Sequence, residues 1–368
     1  MLSMRTIALF LFLLNCCLLH AQEKILKPFD IEADLFYGTI LEHNPDISHL
    51  ITEHPTGIML AYNRKTYGFE DWERRYNFPD VGYTFAYQDM KNFYLGELYS
   101  GYAHYNFYYW KRRLQFRIGQ GFAIATKPYD RETNFINNAY GTRVLSSTML
   151  KFSYKQNNIW RGFGAHAGFS LIHYSNANLK APNNSTNTWA FTAGINYFPN
   201  HEKMPDFIPM GEKTKYSEPL HYNLVVRSGA NQSDINNSPR YGFVTLTGFV
   251  DKRINHKSSL TGGVDAFFAN FLKELIRYES VAFPEGEVSG DEDWKRFGVF
   301  VGHELHFNEM SFVSQLGYYV YYPYDFEGRF YNRLGLKRTF GKHFRGSMVV
   351  KAHGAKAEAV EFGIGYRF

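Results

Sequence analysis

Apolar and polar residues alternate along many short segments of this chain. From Arg113 onward, one set of alternate positions is apolar and is interrupted only by Gln120; its members are Leu114, Phe116, Ile118, Phe122 and Ile124. The intervening positions are polar or small; they are Arg113, Gln115, Arg117, Gly119, Gly121 and Ala123. Because neighbouring side chains of a strand point to opposite faces, the pattern predicts a β-strand with one apolar face. In a membrane barrel that face contacts lipid and the other lines the lumen.

The same alternation recurs up to the last residues, where Val360, Phe362, Ile364, Tyr366 and Phe368 share one face. A final strand that ends in an aromatic residue resembles the terminal signal of bacterial outer-membrane barrels. Counting such segments gives roughly sixteen strands, in a range of about twelve to sixteen, at roughly 20 residues for each strand and its connection. We therefore predict an all-β fold, a transmembrane antiparallel β-barrel.

The connections suggest how the barrel is organised. Short turns fall largely on one side and longer polar loops, such as 126–142 and 176–186, on the other, which is typical of outer-membrane barrels. The segments 68–79 and 199–219 are long exceptions. The second is rich in Pro, Lys and Glu, and could separate a barrel of about eight strands from a second β unit. We assign residues 22–198 to a barrel region and residues 199–368 to further barrel strands.

The N-terminus predicts export. Arg5 precedes an apolar run that ends near Leu19, and small Ala21 precedes Gln22, so residues 1–21 are predicted to be a cleaved signal peptide. Acylation of Cys16 or Cys17 is a weaker alternative, because the preceding residues are not small. After cleavage at Ala21 the mature chain would contain no cysteine. The formal net charge of +5 is too mild to indicate a nucleic-acid partner.

Residues 160–198 carry the candidate chemistry. The odd positions from Phe163 to Leu171 form an apolar face, and His173 and Ser175 continue the same face near the end of the strand. Asn187 has the matching parity on the next strand. If the two strands are hairpin neighbours, these three residues meet on the exterior of the barrel, because facing residues lie about 5 Å apart. A serine beside a histidine that a third group orients is the arrangement of an activated nucleophile.

The motif His173-Tyr174-Ser175-Asn176, followed by Pro182-Asn183 and an aromatic-rich last strand, resembles the PagL-like lipid A 3-O-deacylases of the acyloxyacyl hydrolase family. The resemblance implies that Ser175 is the nucleophile, His173 the general base and Asn176 a candidate for stabilising the oxyanion. The family has a catalytic Glu at the position of Asn187. Its small members are also eight-stranded and shorter, so the resemblance leaves residues 199–368 unexplained.

The resemblance implies a serine esterase of the bacterial outer membrane that removes an ester-linked acyl chain from the lipid A of lipopolysaccharide. The alternative is a non-catalytic porin or structural barrel, in which Arg113, Arg117 and Glu361 tune passage through the lumen. The expected partners are lipopolysaccharide and outer-membrane lipids, with a homodimer as a possibility. No cofactor is predicted. One polar loop contains three histidines, His43, His49 and His54, but their spacing fits no compact ligand set, so no metal site is predicted either.

Overall fold

A computed structural model describes residues 28–202, 205–211, 216–233, 235, 237–354 and 356–368. The predicted signal peptide, residues 1–21, lies outside these residues, and so do both cysteines. No helix in the described part of the chain is both long enough and apolar enough to cross a bilayer.

The first eight strands close into an antiparallel barrel, because β1 pairs with β2 on one edge and with β8 on the other. The strands are β1 (Phe29–Leu41), β2 (Thr56–Arg64), β3 (Asp80–Asp89), β4 (Glu97–Tyr109), β5 (Leu114–Ala125), β6 (Val144–Trp160), β7 (Phe163–Ser175) and β8 (Thr186–Tyr197). A short 3-10 helix, Pro45–Leu50, lies between β1 and β2, and helix α1 (Asp71–Arg75) lies between β2 and β3.

The remaining eight strands close a second barrel, in which β9 pairs with both β10 and β16. The strands are β9 (Leu220–Gln232), β10 (Arg240–Arg253), β11 (Ser258–Ala269), β12 (Arg296–Phe307), β13 (Met310–Tyr321), β14 (Phe330–Phe340), β15 (Phe344–His353) and β16 (Lys356–Arg367). Helix α2 (Asn270–Ala282) follows β11.

The prediction of a single barrel of about sixteen strands is therefore wrong, although the strand number is confirmed. The alternative with two units describes the structure, and each unit is a closed eight-stranded barrel. Alternation along a strand shows which side chains share a face, but it does not show which strand pairs with its edge. The edge of β8 pairs with β1 and not with β9, which follows after residues 198–219.

Charged residues that point inward fill the lumen of the first barrel. Arg117 Nη2 lies 2.6 Å from Glu32 Oε2, and Lys155 Nζ lies 2.6 Å from Glu32 Oε1. Lys151 Nζ contacts Asp34 Oδ2 at 2.6 Å. All of these side chains are buried. An eight-stranded barrel has room for little more than its own side chains, so the ion pairs give no support to the porin alternative.

The lumen of the second barrel is filled in the same way. Arg333 contacts Asp265 at 2.7 Å and Glu361 at 2.6 Å, and all three side chains are buried. Arg113, the other residue suggested to line a pore, lies in the turn before β5 and is exposed. Thus Arg117 and Glu361 take part in buried ion pairs, and the assignment of Arg113 to the lumen is wrong.

The two ends of the first barrel differ in their connections. At the end where β7 finishes, here called the motif end, four longer loops cover the barrel; they are residues 42–55, 90–96, 126–143 and 176–185. Their apolar side chains pack against side chains that line the lumen at the motif end. The resulting buried cluster includes Ile47, Leu50, Met90, Leu95, Tyr140, Ile172 and Tyr174. The opposite end, here called the turn end, has the short connections 110–113 and 161–162 and the longer segment 65–79.

The closure of the first barrel can be tested with a pair of cysteines. Leu35 on β1 and Ala193 on β8 are directly opposite and face outward, so Leu35→Cys with Ala193→Cys should form a disulfide on mild oxidation. Facing residues have Cα atoms about 4.5–5.5 Å apart, within the range that a disulfide spans. The matched control is Leu35→Cys with Ala167→Cys, because Ala167 lies on β7, which is not a neighbour of β1. Free thiols in the first variant under conditions that oxidise exposed pairs would contradict the closure.

Candidate active site

His173 and Asn187 form a pair across two neighbouring strands. They are directly opposite in the β7–β8 ladder, and both are partly exposed on the outward face. His173 Nδ1 lies 2.8 Å from Asn187 Oδ1. Because an amide oxygen can only accept, the ring must donate through Nδ1, which leaves Nε2 of the neutral imidazole as a proton acceptor. The geometry that the sequence predicted for this pair is present in the structure.

Ser175 is two residues beyond His173 and has the same outward parity, but only 6% of it is exposed, because the loop 176–185 covers it. Its Oγ donates to Asn183 Oδ1 at 3.1 Å and accepts the backbone N–H of Ala177 at 2.9 Å. Within the described residues the structure has no direct hydrogen bond between Ser175 Oγ and His173. The serine is therefore beside the histidine on the same face, with its hydroxyl turned toward the loop.

Two asparagines shape the loop around Ser175. Asn183 Oδ1 accepts the Ser175 hydroxyl and also the backbone N–H of Asn176, at 2.8 Å. The Asn176 amide donates to the Lys180 carbonyl at 2.6 Å, and its Oδ1 is buried with no partner among the described residues. Sequence reasoning gave Asn183 no role. Its position beside Pro182 in the motif was the only feature of the sequence that pointed to a role for Asn183.

The three histidines of the loop 42–55 do not converge. His43 Nε2 contacts the Asn184 carbonyl and Ser185 Oγ, each at 3.1 Å, and so ties its loop to the loop after Ser175. His49 contacts the Ile136 carbonyl at 3.0 Å, and His54 contacts the Gly38 carbonyl at 2.9 Å. These histidines bind separate backbone groups and bring the loops of the motif end together.

Within the described residues, one group has the composition of a metal site: Glu32, Asp34 and His166 in the lumen of the first barrel. His166 Nε2 lies 2.7 Å from Asp34 Oδ1. The carboxylates are already contacted by Lys151 and Arg117 at 2.6 Å each. Cations of the protein therefore balance the negative charge in this group.

A row of polar residues crosses the exterior of the first barrel at the level of His173. Gln120 on β5 is opposite Thr148 on β6, Thr148 is opposite His173, and His173 is opposite Asn187. We call these four residues the polar row. Thr148 Oγ1 donates to Gln120 Oε1 at 2.6 Å, and Gln120 Nε2 donates to Ser146 Oγ at 3.1 Å. The sequence showed Gln120 only as an interruption of an apolar face, and the pairing of β5 with β6 gives that interruption a place beside the site.

The exterior becomes apolar one step from the polar row toward the turn end. There the same four strands present Ile118, Leu150, Leu171 and Trp189, which are again directly opposite one another. Phe169 lies one step farther toward the turn end, and its ring stacks with the ring of Trp189 with centroids 5.3 Å apart. The candidate site therefore lies at a boundary between polar and apolar surface, on the outside of the barrel.

An antiparallel barrel with a serine and an oriented histidine on its outward face has the parts of a β-barrel hydrolase site. Two family models match the sequence. The model described as "Lipid A 3-O-deacylase (PagL)" matches residues 56–196, and the model described as "Acyloxyacyl hydrolase, C-terminal domain" matches residues 220–368. The chain belongs to this PagL-like family, and the second match covers the barrel that the sequence motif left unexplained.

No curated protein matches the chain. Solved structures that are similar to it include variants of the Rhodopseudomonas blastica porin. One variant is 8% identical with a TM-score of 0.19, and the alignment covers 92% of this chain and 99% of the porin chain. Another is 7% identical with a TM-score of 0.18 and the same coverage.

Proposed function

We propose that the protein is an outer-membrane serine esterase that removes the 3-O-linked acyl chain of lipid A. The observation that carries the proposal is the cross-strand pair of His173 and Asn187, with Ser175 beside it on the outward face. An oriented base next to a hydroxyl is what acyl transfer requires. The descriptions of both family models, a lipid A deacylase and an acyloxyacyl hydrolase, support this class of substrate.

The outer surface of the barrels suits a lipid environment. Large apolar side chains on the outward faces are strongly exposed, among them Leu35 at 66%, Phe122 at 61% and Ile364 at 73%. Such residues in alternation with a polar lumen are typical of barrels that span the outer membrane. A lipid substrate can reach an exterior site by diffusing in the plane of the membrane. It would not need to enter the lumen, which is occupied by ion pairs.

In the proposed reaction Ser175 Oγ attacks the ester carbonyl carbon while its proton passes to His173 Nε2. The tetrahedral intermediate collapses to an acyl-serine, and the sugar oxygen leaves with the proton from His173. Water then attacks the acyl-serine with His173 as the base, which releases the fatty acid and restores the serine. The Ser175 hydroxyl must therefore turn from Asn183 to His173 when substrate binds. Catalytic hydrogen bonds often form only in that complex.

Asn187 and Asn176 have supporting roles in this proposal. Asn187 holds the proton of His173 on Nδ1, so that Nε2 is available as the base. Asn176 is the proposed donor to the oxyanion, and this role requires its amide to exchange the bond with the Lys180 carbonyl for one with the reacting oxygen.

We also propose that Gln120 and Thr148 contact the polar part of the substrate next to the scissile ester. They lie in the polar row with His173, and their amide and hydroxyl groups match the hydroxyl and amide groups of an acylated sugar. The apolar surface next to the polar row, on the side of the turn end, would hold the acyl chain.

Ser175→Ala is expected to abolish deacylation, with a loss of about 10⁴-fold or more by analogy with other serine nucleophiles. Purified protein would be incubated in detergent with lipopolysaccharide, and tandem mass spectrometry would locate the acyl chain lost from lipid A. Ser170→Ala is the matched control, since Ser170 is a buried serine of the same strand that faces the lumen. His173→Ala should lose as much as Ser175→Ala. Near-normal fatty-acid release by Ser175→Ala would exclude the serine mechanism, and loss of a chain from another position would exclude the 3-O assignment.

Asn187→Ala is expected to lower kcat because the imidazole loses the group that fixes its tautomer. Asn187→Glu should preserve or raise kcat, since a carboxylate stabilises the imidazolium by about 1 kcal/mol more than a neutral acceptor does. That difference corresponds to roughly fivefold to tenfold in rate. Thr192→Val, a lumen-facing change in the same strand, is the control. If Asn187→Ala had the parental kcat, another residue would have to orient His173.

Gln120→Leu is expected to raise KM for lipopolysaccharide by up to about tenfold, the value of one uncharged hydrogen bond, with little change in kcat. This pattern results when an interaction is equal in the bound substrate and in the transition state. The substitution makes the position apolar like its outward neighbours Ile118 and Phe122, so barrel assembly should not suffer. Steady-state kinetics in detergent provides the measurement, and an unchanged KM would remove Gln120 from the substrate-binding surface.

A further inference from the structure

Gln232 is a buried polar residue on the outward face of the second barrel. It ends β9, where most of the other outward side chains are apolar and exposed, such as Leu224 at 59%. Gln232 is only 1% exposed. Its contacts include residues of the first barrel, in the loop that follows Ser175.

Three hydrogen bonds join Gln232 to that loop. Its side-chain Oε1 accepts the backbone N–H of Ala181 at 3.0 Å. Its backbone N–H donates to the Asn178 carbonyl at 3.3 Å, and the Asn178 amide donates to the Gln232 carbonyl at 3.3 Å. The Gln232 amide nitrogen is itself fixed by bonds to the carbonyls of Ser238 at 2.6 Å and Ile235 at 3.3 Å. The acceptor that faces Ala181 is thus held by the second barrel's own loop.

The segment that Gln232 holds is the part of the loop that determines the setting of Ser175. Asn178 and Ala181 lie between Asn176 and Asn183, and Asn183 accepts the Ser175 hydroxyl. Asn176 is bonded to the Lys180 carbonyl, one residue before Ala181. A displacement of Ala181 would therefore move both asparagines that surround the serine.

The two barrels contact each other at the turn end as well as at Gln232. Tyr76, in the connection between β2 and β3, donates its hydroxyl to the His306 carbonyl at 2.9 Å. The centroid of its ring lies 4.6 Å from that of Phe307, at the end of β12. The ring centroid of Phe307 also lies 5.5 Å from that of Tyr105. Contacts at both ends restrict the tilt of one barrel against the other.

We infer that the second barrel acts as a positioning element for the active site and that Gln232 is the residue through which it holds the loop 176–185 around Ser175. Gln232 touches neither the substrate nor the reacting atoms, so it acts through Ala181 and the loop backbone that carries Asn176, the proposed donor to the oxyanion. The inference rests on the proposed function, and it gives a role to a barrel that carries none of the proposed catalytic residues.

The test uses the full-length protein in detergent with lipopolysaccharide. Gln232→Met keeps the length of the side chain and removes the acceptor, so kcat should fall roughly tenfold with little change in KM. Gln232→Glu keeps an acceptor for Ala181 but places a buried carboxylate against the carbonyls of Ser238 and Ile235, so it should not restore kcat. The matched control is Asn231→Leu. Asn231 is the neighbouring buried amide, which points into the second lumen and donates to the Glu358 carbonyl.

Hydrogen–deuterium exchange provides a readout that does not depend on activity. Backbone amides of residues 176–185 should exchange faster in Gln232→Met and at the parental rate in Asn231→Leu, because local opening is governed by the contacts that hold the segment. Parental kcat in Gln232→Met would overturn the inference, and so would an equal loss of kcat in Asn231→Leu.

The two proposals fail in different ways. Full activity of Ser175→Ala would reject the serine mechanism, whereas the exchange result would still report whether Gln232 holds the loop. Parental exchange and parental kcat in Gln232→Met, with an inactive Ser175→Ala, would reject the role of the second barrel alone.

Discussion

The structure depends on the closure of each sheet, because a strand edge without a partner leaves backbone N–H and C=O groups unsatisfied, at a cost of several kcal/mol each in lipid. The pairing of β1 with β8 removes the free edges of the first barrel. It also fixes β8 between β1 and β7, which places Asn187 between Leu41 and His173. The geometry of the candidate site is therefore a consequence of how the backbone satisfies its hydrogen bonds.

Much of the fold and part of the site could be predicted from the sequence because a period of two is a local property. Alternation predicted roughly sixteen strands, the number that the structure has, and it put His173, Ser175 and Asn187 on one outward face. The partner of an edge is not a local property, so the choice between one large barrel and two small ones could not be made. Asn183 lies in an irregular loop and Gln232 is the last residue of β9. At such positions a period of two does not predict what a side chain contacts.

Asparagine at position 187 suits a surface that, in the proposed setting, faces lipid. A carboxylate there would stabilise the imidazolium formed in the proposed reaction, but it would also be a charge beside Trp189 and Leu41 at the edge of an apolar belt. Charges on the lipid face of a barrel are destabilising, increasingly so toward the middle of the bilayer. A neutral amide still fixes the tautomer of His173 while avoiding that cost.

The ion pairs in the two lumens also determine whether solutes can pass through the barrels. Glu32, Arg117 and Lys151 occupy the interior of one barrel, and Asp265, Arg333 and Glu361 occupy the other. In the proposed membrane setting, neither barrel would offer water and small solutes an open path. Many copies would then carry out the proposed deacylation without weakening the permeability barrier of that membrane.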